Sequence, residues 1–233
     1  MVYGELGKHP LSVNIKANML RFWSRIINGK ESKLSYTMYQ LLYNLHLSNV
    51  YTSDWIKSIK GILIEIGEPN IWFNQSVNSN WLKHTCKHKL RDCYIQKWFE
   101  SMYNSKSCYN YRLFKSNFTL EKYLICLPTN LRIYMCKFRV TNTNLPVHQH
   151  RIDYDNNNVC DLCKNNSPCD EFHYMFECNF FQRERKLLIP KYYWNNPNAF
   201  KFHMLFNNTG SKILRNCSKF CKLIINTFCS TTN

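Results

Sequence analysis

Cys160-Asp-Leu-Cys163, a nine-residue interval, then His173-Tyr-Met-Phe-Glu-Cys178 is the stretch on which the reading of this chain turns. Three thiolates and one imidazole complete the tetrahedral shell of a zinc ion. Four protein ligands leave no open position for substrate or water, so a metal held this way organises structure and runs no chemistry. The flanks suit a small metal loop. Asp155, Asn156, Asn157 and Asn158 lead in, and Asn165, Asn166, Ser167 and Pro168 occupy the interval; these residue types favour turns. Glu171 to Phe176 reads as about one helical turn that points His173 inward. Cys169 is a fifth candidate ligand, set aside because only three residues separate it from His173.

Outward from that segment, the charge is uneven. From Asp153 to Glu184 seven acids face only Lys164 and Arg183, which makes the metal loop a poor grip for an anion. After Glu184 there is no acid at all, against eight Lys and Arg residues. The last of these lie on one amphipathic helix. Ile213, Leu214, Cys217, Phe220, Cys221, Ile224 and Phe228 form its apolar face, and Lys212, Arg215, Lys219 and Lys222 its basic ridge. A membrane-surface helix has the same pattern, but nothing else in the sequence points to lipid. A second basic stretch runs from Trp81 to Lys115, where eight basic residues, among them Lys83, Lys87, Lys89 and Arg91, face only Asp92 and Glu100. Aromatic residues are interleaved there, as in surfaces that hold phosphates and stack bases. Arg132, Lys137, Arg139 and Arg151 lead into the metal segment and are further candidates for phosphate contact.

The whole chain of 233 residues carries a formal charge of +16, and its first expected partner is a polyanion such as RNA or DNA. With 45% hydrophobic and 15% aromatic residues it can bury one large or two small cores. No run reaches bilayer length and the first residues lack the apolar centre of a signal peptide, so an intracellular place, nucleus or cytoplasm, is expected, with no membrane partner. The 12 Cys are then expected as thiols or metal ligands, not as disulfides.

The periodicity is helical almost throughout. Leu11, Ile15, Met19, Phe22, Trp23 and Ile26 form one stripe, which Asn28-Gly29 ends; Met38, Leu41, Leu42 and Leu45 form another. Ser53-Asp54 can cap a third helix, with Trp55, Ile59, Ile62, Leu63 and Ile66 inward and Gly67 as its stop. A fourth carries Leu90, Tyr94, Trp98 and Met102. The expected fold is mainly α: a bundle-like helical region over residues 1–140, a small CCHC zinc knuckle over 141–190, and basic C-terminal helices over 191–233 packed on it. His84 and His88 stand four apart, yet the surrounding lysines disfavour a second metal. No Gly-rich phosphate loop, no assignable nucleophile–base arrangement and no paired acids of a two-metal polymerase site occur, so neither an enzyme nor a small-molecule substrate is expected.

The chain resembles the C-terminal region of LINE-type (non-LTR) retrotransposon reverse transcriptases. Met1 to Leu11, Met19 to Trp23, Asp92 to Gln96 with Trp98, Tyr111 to Lys115 and Glu121 to Leu124 are similar to segments that follow the polymerase domain. Phe138 to Pro146 resembles the lead-in to the family's zinc-binding segment. Cys160-Asp-Leu-Cys163 with Asp170-Glu-Phe-His-Tyr-Met-Phe-Glu-Cys178 resembles the zinc-binding motif itself. The resemblance implies Cys160, Cys163, His173 and Cys178 as ligands of one structural Zn2+. Cys169 falls where the family usually has Gly. His148 and His150 depart from the Glu and Gly expected between Pro146 and Arg151. The implied role is to hold template RNA or target DNA without polymerising, the endonuclease and polymerase regions being absent from this sequence. A zinc-stapled protein-interaction module and a non-functional transposon relic are the alternatives.

Overall fold

In a computed structural model, residues 1–105, 108–143, 145–147, 159–163 and 167–229 are described. The fold is mainly α, as the periodicity predicts. Among the described residues the only β pairing is one isolated antiparallel bridge, Val159 to Pro168. The chain divides into two compact units, His9–Glu100 and Met1–Lys8 with Ser101–Asn233.

The 9–100 unit contains α2 (Leu11–Ile27), α3 (Leu34–Leu47), α4 (Asp54–Glu65), α5 (Pro69–Asn74) and most of α6 (Ser79–Asn104). Ser53 caps α4 as expected: its side chain accepts from the Ile56 N–H at 3.2 Å. Gly67 takes a left-handed φ of 75° just past the end of that helix. Ile56, Ile59, Ile62 and Leu63 from α4 meet Leu82, Cys86 and Leu90 from α6 in one apolar core. Trp23 lies at its centre, fully buried, donating its indole N–H to the Tyr39 hydroxyl at 2.9 Å.

The stripes of α2 and α3 are rotated from the sequence expectation. On α2 the core takes Val13, Ala17, Leu20 and Trp23, while Leu11, Ile15 and Phe22 are exposed. On α3 it takes Tyr39, and Met38 and Leu41 are exposed. Both helices carry apolar residues around more than one face, and the larger residue is not always the one the partner helix accommodates.

The C-terminal unit contains α1 (Val2–Leu6), α7 (Tyr111–Phe114), α8 (Tyr123–Cys126), α9 (Thr129–Arg139), α10 (Gln182–Leu188), α11 (Lys191–Trp194), α12 (Ala199–Phe206) and α13 (Ser211–Cys229). Its core places Leu131, Met135 and Phe138 of α9 with Leu214, Cys217, Phe220, Cys221 and Ile224 of α13, so the predicted apolar face of the last helix is the buried one. Cys160, Met175, Phe176 and Cys178 belong to the same core. The boundary therefore falls near residue 100 and not at 140: α7 to α9 share one hydrophobic interior with the cysteine segment and the C-terminal helices, and a cut between residues 140 and 141 would divide it.

Candidate metal centre and basic surface

The two ends of the cysteine loop are tied by the Val159–Pro168 bridge and by the Cys160 N–H, which donates to the Ser167 carbonyl at 2.9 Å. This fixes the Cys160-x-x-Cys163 turn beside the second half of the motif. The Asp170 side chain accepts from the His173 N–H at 2.8 Å and so starts the next turn. That turn is a π-helix over His173–Glu177, closed by the Cys178 N–H on the His173 carbonyl at 2.8 Å. Five residues apart on an α-helix, His173 and Cys178 would point about 140° apart. The wider i→i+5 turn brings them round to one side.

The four predicted ligands converge. One donor atom from each of Cys160, Cys163, His173 and Cys178 lies within 4.8 Å of the others. The Cys160 and Cys178 sulfurs are 3.9 Å apart, and Cys163 Sγ is 3.3 Å from His173 Nε2. The imidazole therefore presents Nε2 to the thiols and turns Nδ1 to the Glu177 carboxylate at 3.4 Å, as a metal-bound histidine needs its far nitrogen held. All but Cys163 are buried. Burial pushes the Cys178 thiol up to about 12, so its thiolate form calls for a compensating cation. The donor set fits one metal ion. Cys169 is buried nearby but is not among the converging groups. His84 and His88 assemble no site: among the described residues no second group of three or more His, Cys, Asp or Glu reaches ligand distance.

Arg185 is the residue that sequence reasoning missed. Only 4% exposed, it donates from Nε to the Met175 carbonyl at 2.8 Å and from Nη2 to the carbonyls of Cys178 at 2.8 Å and Tyr174 at 3.3 Å. It thus braces three carbonyls of the π-turn and its C-terminal end. A metal bearing three thiolates and one neutral imidazole carries about −1, and the Arg185 guanidinium beside Cys178 opposes that charge. Burial holds Arg185 below its ordinary pKa, with Cys178 and Glu177 opposing the shift. Its signal was in the sequence: Phe181, Arg185 and Ile189, spaced four apart, form one buried stripe along α10 and the two residues that flank it.

The predicted cations divide into two kinds. Lys212, Arg215 and Lys219 are exposed along α13, and Lys222 sits over the Tyr134 ring at 5.5 Å. Lys137 on α9 is exposed, while Arg132 is half-buried and donates to the Leu127 carbonyl at 2.8 Å. Lys83 is exposed on α6 and Lys87 and Arg91 are half-buried, but Lys89 is paired with Glu68. Lys97 and Lys115 of the same basic stretch are also paired, with Glu65 and Glu121. Arg139 is a correction. It is fully buried, its Nη2 3.1 Å from Glu121 and its Nε 3.3 Å from Glu5, and it cannot reach a phosphate. The reason is long-range: two carboxylates, one of them 134 residues away, need counter-charges inside the core. Arg151 lies outside the described residues.

No family model, no curated protein and no solved structure matches this chain. Among the described residues no helix is long and apolar enough to cross a membrane.

Proposed function

We propose that this chain is a zinc-stabilised nucleic-acid-binding protein, related to the C-terminal region of LINE-type reverse transcriptases, that holds RNA or DNA and does not polymerise. The supporting observation is the pairing of α9 with α13. Between them these helices carry Arg132, Lys137, Lys212, Arg215, Lys219 and Lys222 on accessible faces and no acid. A groove of about 660 Å3 runs along them, with Leu131 and Leu223 in its floor and Lys219 and Lys222 at its edge. Lysines give such a groove phosphate contact, and its apolar floor accepts the face of an unstacked base.

Zinc is the metal of this reading. Thiolate and imidazole donors in a four-coordinate set suit Zn2+. A tetrahedral zinc with bonds of about 2.3 Å places its sulfurs about 3.8 Å apart, near the 3.9 Å between Cys160 and Cys178. Its role is to hold the π-turn against the core on which α13 packs. The basic ridge then keeps one geometry.

Fluorescence anisotropy with a labelled single-stranded oligonucleotide across a salt series tests this. Four phosphate contacts predict a log–log slope of about −3. Replacing Lys219 and Lys222 by Gln is expected to reduce that slope by about half. Binding that ignores ionic strength would instead favour a protein-interaction module. The exposed row Leu34, Met38 and Leu41 on α3 is the observation behind that second reading.

A further inference from the structure

The 9–100 unit holds a second concentration of positive charge, independent of α13. Arg21 and Arg25 stand one turn apart on α2, and Lys83 one turn into α6. All three line a single cleft of about 370 Å3 together with Ser24, Ser79 and Asn80. Among the described residues none of the three makes an ion pair, although elsewhere in this unit Lys16, Lys57, Lys89 and Lys97 each take a carboxylate. No acid lines the cleft. Three like charges on one small cavity repel one another unless an anion joins them.

The polar groups around them are arranged to donate. Arg21 uses Nη1 on the Asn18 side chain at 3.3 Å, and its Nε is buried with no hydrogen-bond partner. Ser24 and Ser79 lie Oγ to Oγ at 3.0 Å, and Asn28 donates to Ser79 Oγ at 2.8 Å. One hydroxyl proton is used between the two serines, and the geometry of that pair assigns no acceptor to the other. The Asn28 side chain also donates to the Val77 carbonyl at 2.9 Å, so the end of α2 is fastened to the start of α6 and the cleft is built before any ligand arrives.

We propose that this cleft is a phosphoryl-binding site. Guanidinium forks, an ammonium group and a hydroxyl match the several acceptor oxygens of a phosphate and repel a cation, and Leu82 supplies an apolar wall beside them. The site uses none of the α9 or α13 residues, so it stands or falls apart from the groove described above.

Isothermal titration with inorganic pyrophosphate tests it on the full chain. Oligonucleotides of one sequence, ending in either 5′-phosphate or 5′-hydroxyl, are titrated alongside. The probes are Arg25→Gln and Lys83→Gln, singly and together, because both side chains are accessible and neither supports the core. The double variant is expected to weaken binding of the responding probe at least tenfold with unchanged circular dichroism. A preference for the 5′-phosphate strand that this variant abolishes assigns a chain end. An equal loss for both strands assigns an internal phosphodiester, and a loss confined to pyrophosphate assigns a free phosphate. Absence of binding by all three probes to the parent protein overturns the proposal, and so does an affinity for all of them, pyrophosphate included, that Arg25→Gln/Lys83→Gln leaves unchanged. Lys219→Gln/Lys222→Gln, tested in parallel, should leave pyrophosphate binding unchanged.

Discussion

The two units bury polarity in opposite ways. In the 9–100 unit the only buried polar residue is Ser24, and its carboxylates Glu65 and Glu68 stay at the rim, paired with partly exposed lysines. In the C-terminal unit Glu5, Lys115, Arg139, Glu171, His173 and Arg185 are all buried. The first core is held by area removed from water, which needs no particular partner. The second requires buried ions to meet counter-charges, and it contains a Cys3His set whose donor atoms converge within metal-binding distance. A core of the first kind tolerates change by degrees. One of the second kind fails when a single partner is removed.

Metal removal is the severest way to break this comparison. A structural zinc contributes on the order of 10 kcal/mol at neutral pH, so a chelator should unfold the C-terminal unit. Because α7 to α9 share its core, protection in hydrogen exchange should vanish there as well as in α13, while α4 and the first part of α6 stay protected. Uniform survival of both units would mean that the metal site carries no structural weight.

Next in size is the buried ion cluster. Arg139→Met leaves Glu5 and Glu121 short of a counter-charge and should cost about 3–5 kcal/mol in urea unfolding. Arg139→Met combined with Glu5→Gln should cost less than the single change, because the two residues are coupled. Additive losses would show that Arg139 acts only by packing against Phe114 and Tyr123, whose rings its guanidinium faces at 5.6 and 5.4 Å.

Those two effects mark what was legible in the sequence. The converging Cys3His group was readable because its spacing is local: all four residues come from a stretch of 19, Cys160 to Cys178. The apolar face of α13 was readable because one helix face is apolar and the opposite face basic. Arg139 looked like any other lysine or arginine of a basic run, since the carboxylate that buries it sits at position 5 and local pattern carries no trace of it. The rotation of α2 was hidden for a different reason. Leu11, Ile15 and Phe22 are as apolar as Val13, Ala17 and Leu20, and only the space left by α4 decides between them.

A smaller effect sharpens the role of Arg185. Arg185→Gln removes a cation facing the metal centre and shortens the reach to three carbonyls. It should cost about 2 kcal/mol, and it should weaken metal retention about tenfold in a chelator competition. A stability loss with unchanged metal retention would confine Arg185 to bracing the π-turn.

The smallest effect belongs to the 9–100 unit. Burial pushes the Glu65 carboxyl up, but the ammonium groups of Lys16 and Lys97 outweigh it and its pKa is lowered. A carboxylate lowered on folding contributes stability that is full above its unfolded pKa and is lost as pH falls through the folded value. This unit should therefore weaken in mild acid, and Glu65→Gln should flatten that slope. A slope that survives Glu65→Gln would assign the acid sensitivity to another group.

The central claim is that one metal ion, held by Cys160, Cys163, His173 and Cys178, organises the C-terminal unit. Native mass spectrometry of the purified protein, with and without Cys160→Ser and His173→Ala, tests it most directly. The account predicts one zinc per chain, lost in both variants together with the folded charge-state distribution of the C-terminal unit. A parent protein that folds fully with no zinc bound, or variants that keep one equivalent, would contradict it.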